Sequence, residues 1–574
     1  MNLIFGLVLL FSFVLRIYGL NWDAGFHMHP DERMVVMVVE KLQLPSSFSN
    51  FLDPNSLWNP QFFAYGSLPL YLLKLFSIGA SFFLGKEWLF YQNLPILGRL
   101  LSVVFDLGVV VLVFKIGSRL FNKKIGLCAA AFYGLSVFPI QLAHFYAVDV
   151  VLNFFIWLTL WALICFYHKP KFSNACFVGF CFGSALATKA SAGVLLLSIG
   201  FVLVLDFILI GFKFFRQEHQ PFFKKILFFF KKSLKKRVLL RISKQLFFLG
   251  GSMAVVFFVC FFVFQPYAFL DFSKFFSQVK QQGQMTKDAY VFPYTLQYVD
   301  TLAYLYPLKN IFVWGLGLSL GLVSFSGFGF YFFDLFKRLL KKGDYDQEAK
   351  EVIVFIFVFV YFLIVGGFSV KFMRYLLPVY PFLVLVGAWF LIKKERLKKI
   401  IPIVFTGHLF YLLAFLSIYS RANTRVQATE WINKYIPDRS VIAIEHWDDR
   451  LPLVSDKRFS FLEMPMYELD SSSVKWQKIE ANLAEADYLI LASNRLHVPL
   501  RKLTDCQKHK KCYPKTALFY DDLFAGNLDF NQLVKFESFP GFEFLNFKID
   551  DSGADESFTV YDHPQIFIFA KDKN

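Results

Sequence analysis

Apolar runs dominate the first 418 positions, at residues 3–20, 96–118, 125–145, 150–167, 172–188, 190–211, 246–264, 311–333, 352–366, 376–392 and 400–418. A helix of roughly 20 apolar residues reaches across the hydrocarbon core, and only internally hydrogen-bonded elements do so without cost. The pattern therefore predicts a polytopic all-α membrane domain of about eleven spans. Residues 66–84 are also apolar, but counting them as a span would invert every later loop, so a re-entrant or interfacial helix pair is expected there. Beyond residue 418 the period changes. RANTRVQATEWINKYIPD and SVKWQKIEANLAEA read as helices, while SVIAIEH and DYLILAS read as strands, with one or two more in SFTVYDHPQIFIFAK. Such alternation predicts a small α/β domain over 419–574, after a transmembrane domain over 1–418.

Orientation follows from charge. The excess of Lys and Arg gathers at residues 123–124, 168–171, 212–244, 337–342 and 393–399. Short loops rich in these residues stay cytoplasmic, which sets the N-terminus inside and the α/β domain extracytoplasmic. Long loops at 21–95 and 265–310 then lie outside. Only now does composition add something: the chain is 56% hydrophobic, with a mean hydropathy of +0.49, which excludes a string of soluble domains. The net charge of +17 resides in the loops between spans, so it marks a cell-membrane (inner or plasma membrane) protein facing membrane lipids and no nucleic acid. Five of the seven Cys fall in apolar runs; Cys506 and Cys512, in TDCQKHKKCYP, can pair in an oxidising compartment.

This orientation gathers ionisable residues on one face: Asp31 and Glu32 in HPDER, Asp149, Lys189, Asp271, Lys371 and Arg374. Charges at such depth are costly and usually serve a cavity. Transfer of a sugar from a phosphate leaving group needs a carboxylate to take the acceptor's proton and cations to hold the departing phosphate. Asp31 suits the first task, and Lys189, Lys371 and Arg374 the second; Asp149 can orient the acceptor. Structural readings stand beside each. His29 to Arg33 form a good helix start, Lys189 and Lys371 can snorkel, and Arg374 beside Tyr375 can anchor an aromatic belt. His144 can be a helix-end residue, Arg99 and Asp106 a structural pair, and Asp562-His563-Pro564 a turn before the last strand.

The pieces HPDE, RLLSVVFDLGVVVLVFKIGSRLFNKKIGLCAAAFYGLSVFPIQLAHFYAVD, ATKASAG and KFMRYLLPVYP together resemble the GT-C membrane glycosyltransferases, specifically the protein O-mannosyltransferase-like group that includes the aminoarabinose transferases. The resemblance covers roughly residues 1–400. It implies a polyprenyl-phosphate sugar donor, inverting transfer on the outer face, and a lipid, glycan or protein acceptor. By motif position it implies Asp31 as base, with Glu32 and Asp149 as further acidic residues, and Lys189 and Arg374 as phosphate ligands. His29, Arg33, His144 and Tyr375 stand as supporting residues. Some relatives use a divalent metal, which the resemblance leaves open. The tail is unlike the β-trefoil of eukaryotic O-mannosyltransferases. A transporter or lipid flippase is the rival reading, and would carry mid-span charges and internal repeats; no repeat is evident.

Overall fold

The computed structural model describes residues 1–215, 236–341 and 346–572; most of the large basic loop expected at 212–244 lies outside the described residues. Among the described residues, seven helices are long and apolar enough to cross a membrane, and eight if the bent pair Lys123–Leu135 and Val137–Ala143 is one span. Shorter apolar helices occur at Asn2–Ile17, Phe172–Leu186 and Ala190–Leu205. The fold is that of a polytopic helical membrane protein with a small sheet domain, as expected, while length and composition do not establish eleven spans. Small residues allow a close helix contact: Gly179 and Gly183 bring Phe172–Leu186 against the backbone of Lys236–Phe264.

The ambiguous stretch forms one helix, Ser67–Leu84, long and apolar enough to span. Both of its flanks are tied to other elements. The N–H groups of Gly66 and Leu68 donate to the carbonyls of Thr188 and Ala187 (2.9 and 3.2 Å), beside Lys189. After its exit, Tyr91 donates from its N–H to Glu40 (2.8 Å) and packs on His27. A Cβ on Gly66 would come within 1.9 Å of the Ala187 carbonyl oxygen, so the tight approach there depends on glycine.

The C-terminal part contains a five-stranded sheet. Its strands are β1 (Val441–Glu445), β2 (Ser460–Met464), β3 (Tyr488–Leu491), β4 (Phe530–Phe536) and β7 (Ile566–Lys571), with a separate two-stranded β5 (Gly541–Phe542) and β6 (Phe547–Lys548). The order is β2-β1-β3-β7-β4, parallel through β2-β1-β3 and antiparallel beyond. Helices Thr424–Tyr435 and Ser473–Glu485 fall where the pattern put them. Strands β2 and β4 and helix Pro514–Ala525 did not stand out in the sequence.

The sheet domain is locked onto the helices by interdigitation. Phe558, Val560 and Tyr561 join the membrane core, and Leu296 of the second long loop joins the sheet core. Cys506 and Cys512 are bonded, and their loop pairs Lys508 and His509 with Asp300 (2.7 and 2.8 Å) and Lys510 with Asp288 (3.0 Å). Asp562-His563 is more than the expected turn. The His563 ring lies between Asp562 (2.5 Å) and Asp551 (2.8 Å), all three buried. Asp562 also accepts from Tyr419 and Gln141 of the helical part (both 2.9 Å).

Burial opposes the imidazolium, but the two carboxylates outweigh it and push His563 up to about 10. A folded-state pKa above the unfolded value contributes stability that is full below the unfolded pKa, about 6.5, and is lost as pH rises through the folded one. His563→Gln should therefore lower the melting temperature most near pH 6, by the equivalent of about 3–5 kcal/mol for removing one partner of a buried pair. The gap from wild type should shrink toward pH 10, as followed by thermal unfolding in nanodiscs; a pH-independent gap would contradict the charge clamp.

Candidate active site

Pro30 opens helix Pro30–Lys41, with Asp31 and Glu32 in its first turn and His29 as N-cap. His29 Nδ1 accepts the Glu32 N–H at 3.3 Å, and burial pushes the ring down to about 3, so it serves as a neutral cap. Its ring packs on Phe145 and Tyr561 (4.6 and 4.2 Å). Adjacent helical residues point about 100° apart. Asp31 and Glu32 therefore separate, one toward a cavity and one into the bundle.

The cavity has a volume of about 880 Å³, within the range of about 300–1,000 Å³ usual for small-molecule sites. Asp31, Lys189, Arg374 and Tyr375 line it together. Arg374 Nη2 lies 2.8 Å from Asp31 Oδ2, and its Nε lies 3.6 Å from Asp149 Oδ2. Lys189 Nζ meets Asp149 Oδ1 at 2.7 Å and sits 4.4 Å from the Tyr375 ring centre. One arginine thus bridges two carboxylates, and a lysine closes the set. For Asp31, burial favours the neutral acid, but the Arg374 guanidinium and the Tyr65 hydroxyl outweigh it and hold the carboxyl below the usual range. Arg374 keeps Nη1 buried without a partner. A buried, unmatched guanidinium N–H beside a lysine is a ready seat for an anion.

Glu32 is not in this set. The Arg99 guanidinium donates to both Glu32 oxygens (2.9 and 2.8 Å) and both Asp23 oxygens (3.0 and 2.6 Å), all buried. The expected Arg99–Asp106 pair is absent for that reason: Asp106 instead meets Arg16 (2.6 Å) and Tyr133 (2.6 Å). Lys371 also misses the cavity. Its ammonium donates to Thr301 Oγ1 (3.1 Å) and the Ser369 carbonyl (3.0 Å), and burial lowers its pKa. His144 is buried against the carbonyls of Ile140 and Tyr18 (both 2.8 Å) and stacked on Tyr419. Arg33 does line the cavity, donating to Asp449 of the sheet domain (2.9 Å). Asp271 bonds Asn59 away from the cavity (3.2 Å).

Asp31 and Asp149 are each met by a cation, a donor set suited to an anion rather than a divalent metal. No group of three His, Cys, Asp or Glu is arranged as metal ligands among the described residues. The sequence reading missed Tyr65, Tyr294 and the sheet-domain residues Arg425, Asp448, Arg495, Glu556 and Tyr561, which line the same cavity. Asp448 and Arg495 lie in the short segments after buried strands, and polar residues at strand exits were a signal available in IEHWDDR and LASNR.

The separation of roles has a measurable consequence. Glu32→Gln removes one arm of the buried Arg99 triad and should cost about 3–5 kcal/mol of stability. Asp31→Asn, at the cavity wall where the carboxylate is partly exposed and Arg374 keeps Asp149, should cost less than Glu32→Gln; the reverse ranking in thermal unfolding would contradict this assignment.

Residues 92–213 match the family described as dolichyl-phosphate-mannose-protein mannosyltransferase. No curated protein matches the chain significantly. Among solved structures, the chain is similar to the Archaeoglobus fulgidus oligosaccharyltransferase AglB, at 11% identity and a TM-score of 0.48, with 99% of this chain and 88% of that one covered. It is also similar to ArnT from Cupriavidus metallidurans, at 14% identity and a TM-score of 0.42, covering 87% and 95%. The S. cerevisiae Pmt1-Pmt2 complex matches over 51% of this chain and 36% of that one, at 13% identity and a TM-score of 0.30. The matched segment, a minority of the chain, carries Asp149 and Lys189.

Proposed function

We propose that the protein transfers a sugar from a polyprenyl-phosphate carrier to an acceptor hydroxyl on the extracytoplasmic face, with inversion. The observation that carries this reading is the cluster of Asp31, Lys189 and Arg374 lining one cavity, with Asp149 buried behind the two cations. The family description, with its dolichyl-phosphate-mannose donor, supports the same class of donor. In this reading residues 1–418 form the transferase domain, with the N-terminus cytoplasmic, and 419–574 form an extracytoplasmic domain above the site.

Lys189 and Arg374 receive the carrier phosphate, Arg374 through its unmatched Nη1. The acceptor oxygen attacks the anomeric carbon on the face opposite the phosphate. The bond from that carbon to the phosphate oxygen breaks, and its electron pair leaves with the polyprenyl phosphate. Asp31 takes the acceptor proton. In the empty site Arg374 neutralises Asp31, which makes it a weak base; a phosphate drawing on Arg374 loosens that pair and raises the basicity of Asp31 when a donor is present. The two cations act most strongly as negative charge grows on the leaving phosphate, which is where binding becomes rate acceleration.

Asp31→Asn should reduce transfer from undecaprenyl-phosphate-linked sugars by about 10²–10⁴-fold while leaving undecaprenyl phosphate binding intact. Arg374→Ala should weaken that binding at least tenfold. Full transfer by Asp31→Asn in reconstituted membranes would end the role given to Asp31.

A further inference from the structure

The parallel strands β2-β1-β3 end toward the membrane domain. In sheets of this kind the crevice for a ligand opens at the carboxyl ends of the strands, where the order switches direction about the first strand. Here β1 lies between β2 and β3, so the crevice falls between the exits of β1 and β3. Trp447 and Asp448 leave β1, Arg495 follows β3, and all three line the cavity that holds Asp31. The Ser493 hydroxyl donates to Asp448, closing the two exits together. Arg495 Nε pairs with Glu556 at 2.9 Å, both largely buried. Glu556 retains an oxygen with no partner.

Trp447 has a φ of +81°, a conformation that costs a bulky residue energy and is kept mainly where the side chain has work to do. Its ring is half exposed at the cavity. Tyr561, also on the cavity, is the link between the two halves: its electrostatic neighbours include Asp31 and Arg374 on one side and Arg495 and Glu556 on the other.

Resting on the transferase reading, we infer that the Trp447, Asp448, Arg495 and Glu556 crevice binds the acceptor, and that the acceptor is a carbohydrate. A pyranose presents C–H faces that pack on aromatic rings and hydroxyls that both donate to carboxylates and accept from guanidinium groups. The crevice offers that combination. A peptide acceptor bound by strand addition would need an open strand edge to pair with. The strands that reach the crevice, β1 and β3, are interior and paired on both sides, so they offer no such edge.

The test is saturation-transfer NMR on the full-length protein in lipid nanodiscs, free of maltoside detergents. The probes are methyl α-mannoside, methyl β-glucoside, lactose, chitobiose and, separately, a Ser/Thr-rich octapeptide. At least one saccharide should give a signal that falls threefold or more in Trp447→Ala and Glu556→Gln and is retained in Trp447→Phe. Undecaprenyl phosphate binding, measured in parallel, should stay within twofold of wild type in these variants. Lipid binding that depends on Arg374, without any saccharide signal or with only peptide signal, would overturn the carbohydrate assignment while leaving the transferase reading in place. Loss of Arg374-dependent lipid binding would instead strike the transferase reading itself. A saccharide signal unchanged by Trp447→Ala and Glu556→Gln would likewise overturn the crevice.

Discussion

The contact on which the site depends is the bridge from Arg374 to Asp31 and toward Asp149. Three separate parts of the chain meet there: the start of helix Pro30–Lys41, the start of Val148–His168, and the turn beginning at Met373. Charges brought this far from water are tolerated only when matched, so each member makes the others admissible. The balance also leaves the cluster ready to respond, because an incoming anion competes with the carboxylates for the same cations. A rigid cradle of fixed donors needs no reorganisation when charge develops, which is the economical way to stabilise a leaving phosphate.

The cluster would be poorly aimed without the network behind it. Arg99 ties Glu32 to Asp23 and to the Leu20 carbonyl, fixing helix Pro30–Lys41 against the helix Leu94–Leu120. That anchoring turns Asp31 outward. Gly66 seats its strand of chain on Ala187 and Thr188, which delivers Tyr65 to Asp31 and Lys189 to Asp149. From above, the His563 clamp and the disulfide loop hold the sheet domain over the cavity. Pocket, cations and crevice are thereby one continuous space rather than a membrane site with a separate appendage.

Much of this was legible in the sequence, and the gaps have physical causes. Asp31, Asp149, Lys189 and Arg374 could be grouped because the positive-inside bias orders the loops and puts all four at span ends on one expected face. Glu32 could not be separated from Asp31, since which of two adjacent helical residues faces a cavity is decided by tertiary packing, here by Arg99. Arg99 was matched to Asp106 because two helical turns bring them near on one helix, whereas each found a stronger partner on another element. Lys371 was drawn into the phosphate group by sequence proximity to Arg374, yet Thr301 from the second long loop claims it. The sheet-domain residues escaped because strand β2 and helix Pro514–Ala525 have weak periodicity, so the exits of β1 and β3 could not be placed over the membrane site.

The most direct measurement is a cryo-EM structure of the protein in nanodiscs with undecaprenyl phosphate. The account predicts phosphate density within hydrogen-bonding reach of Lys189 and Arg374, with the Arg374–Asp31 contact lengthened from its value in the empty site. Phosphate bound elsewhere, or an undisturbed Arg374–Asp31 pair beside bound lipid, would contradict it.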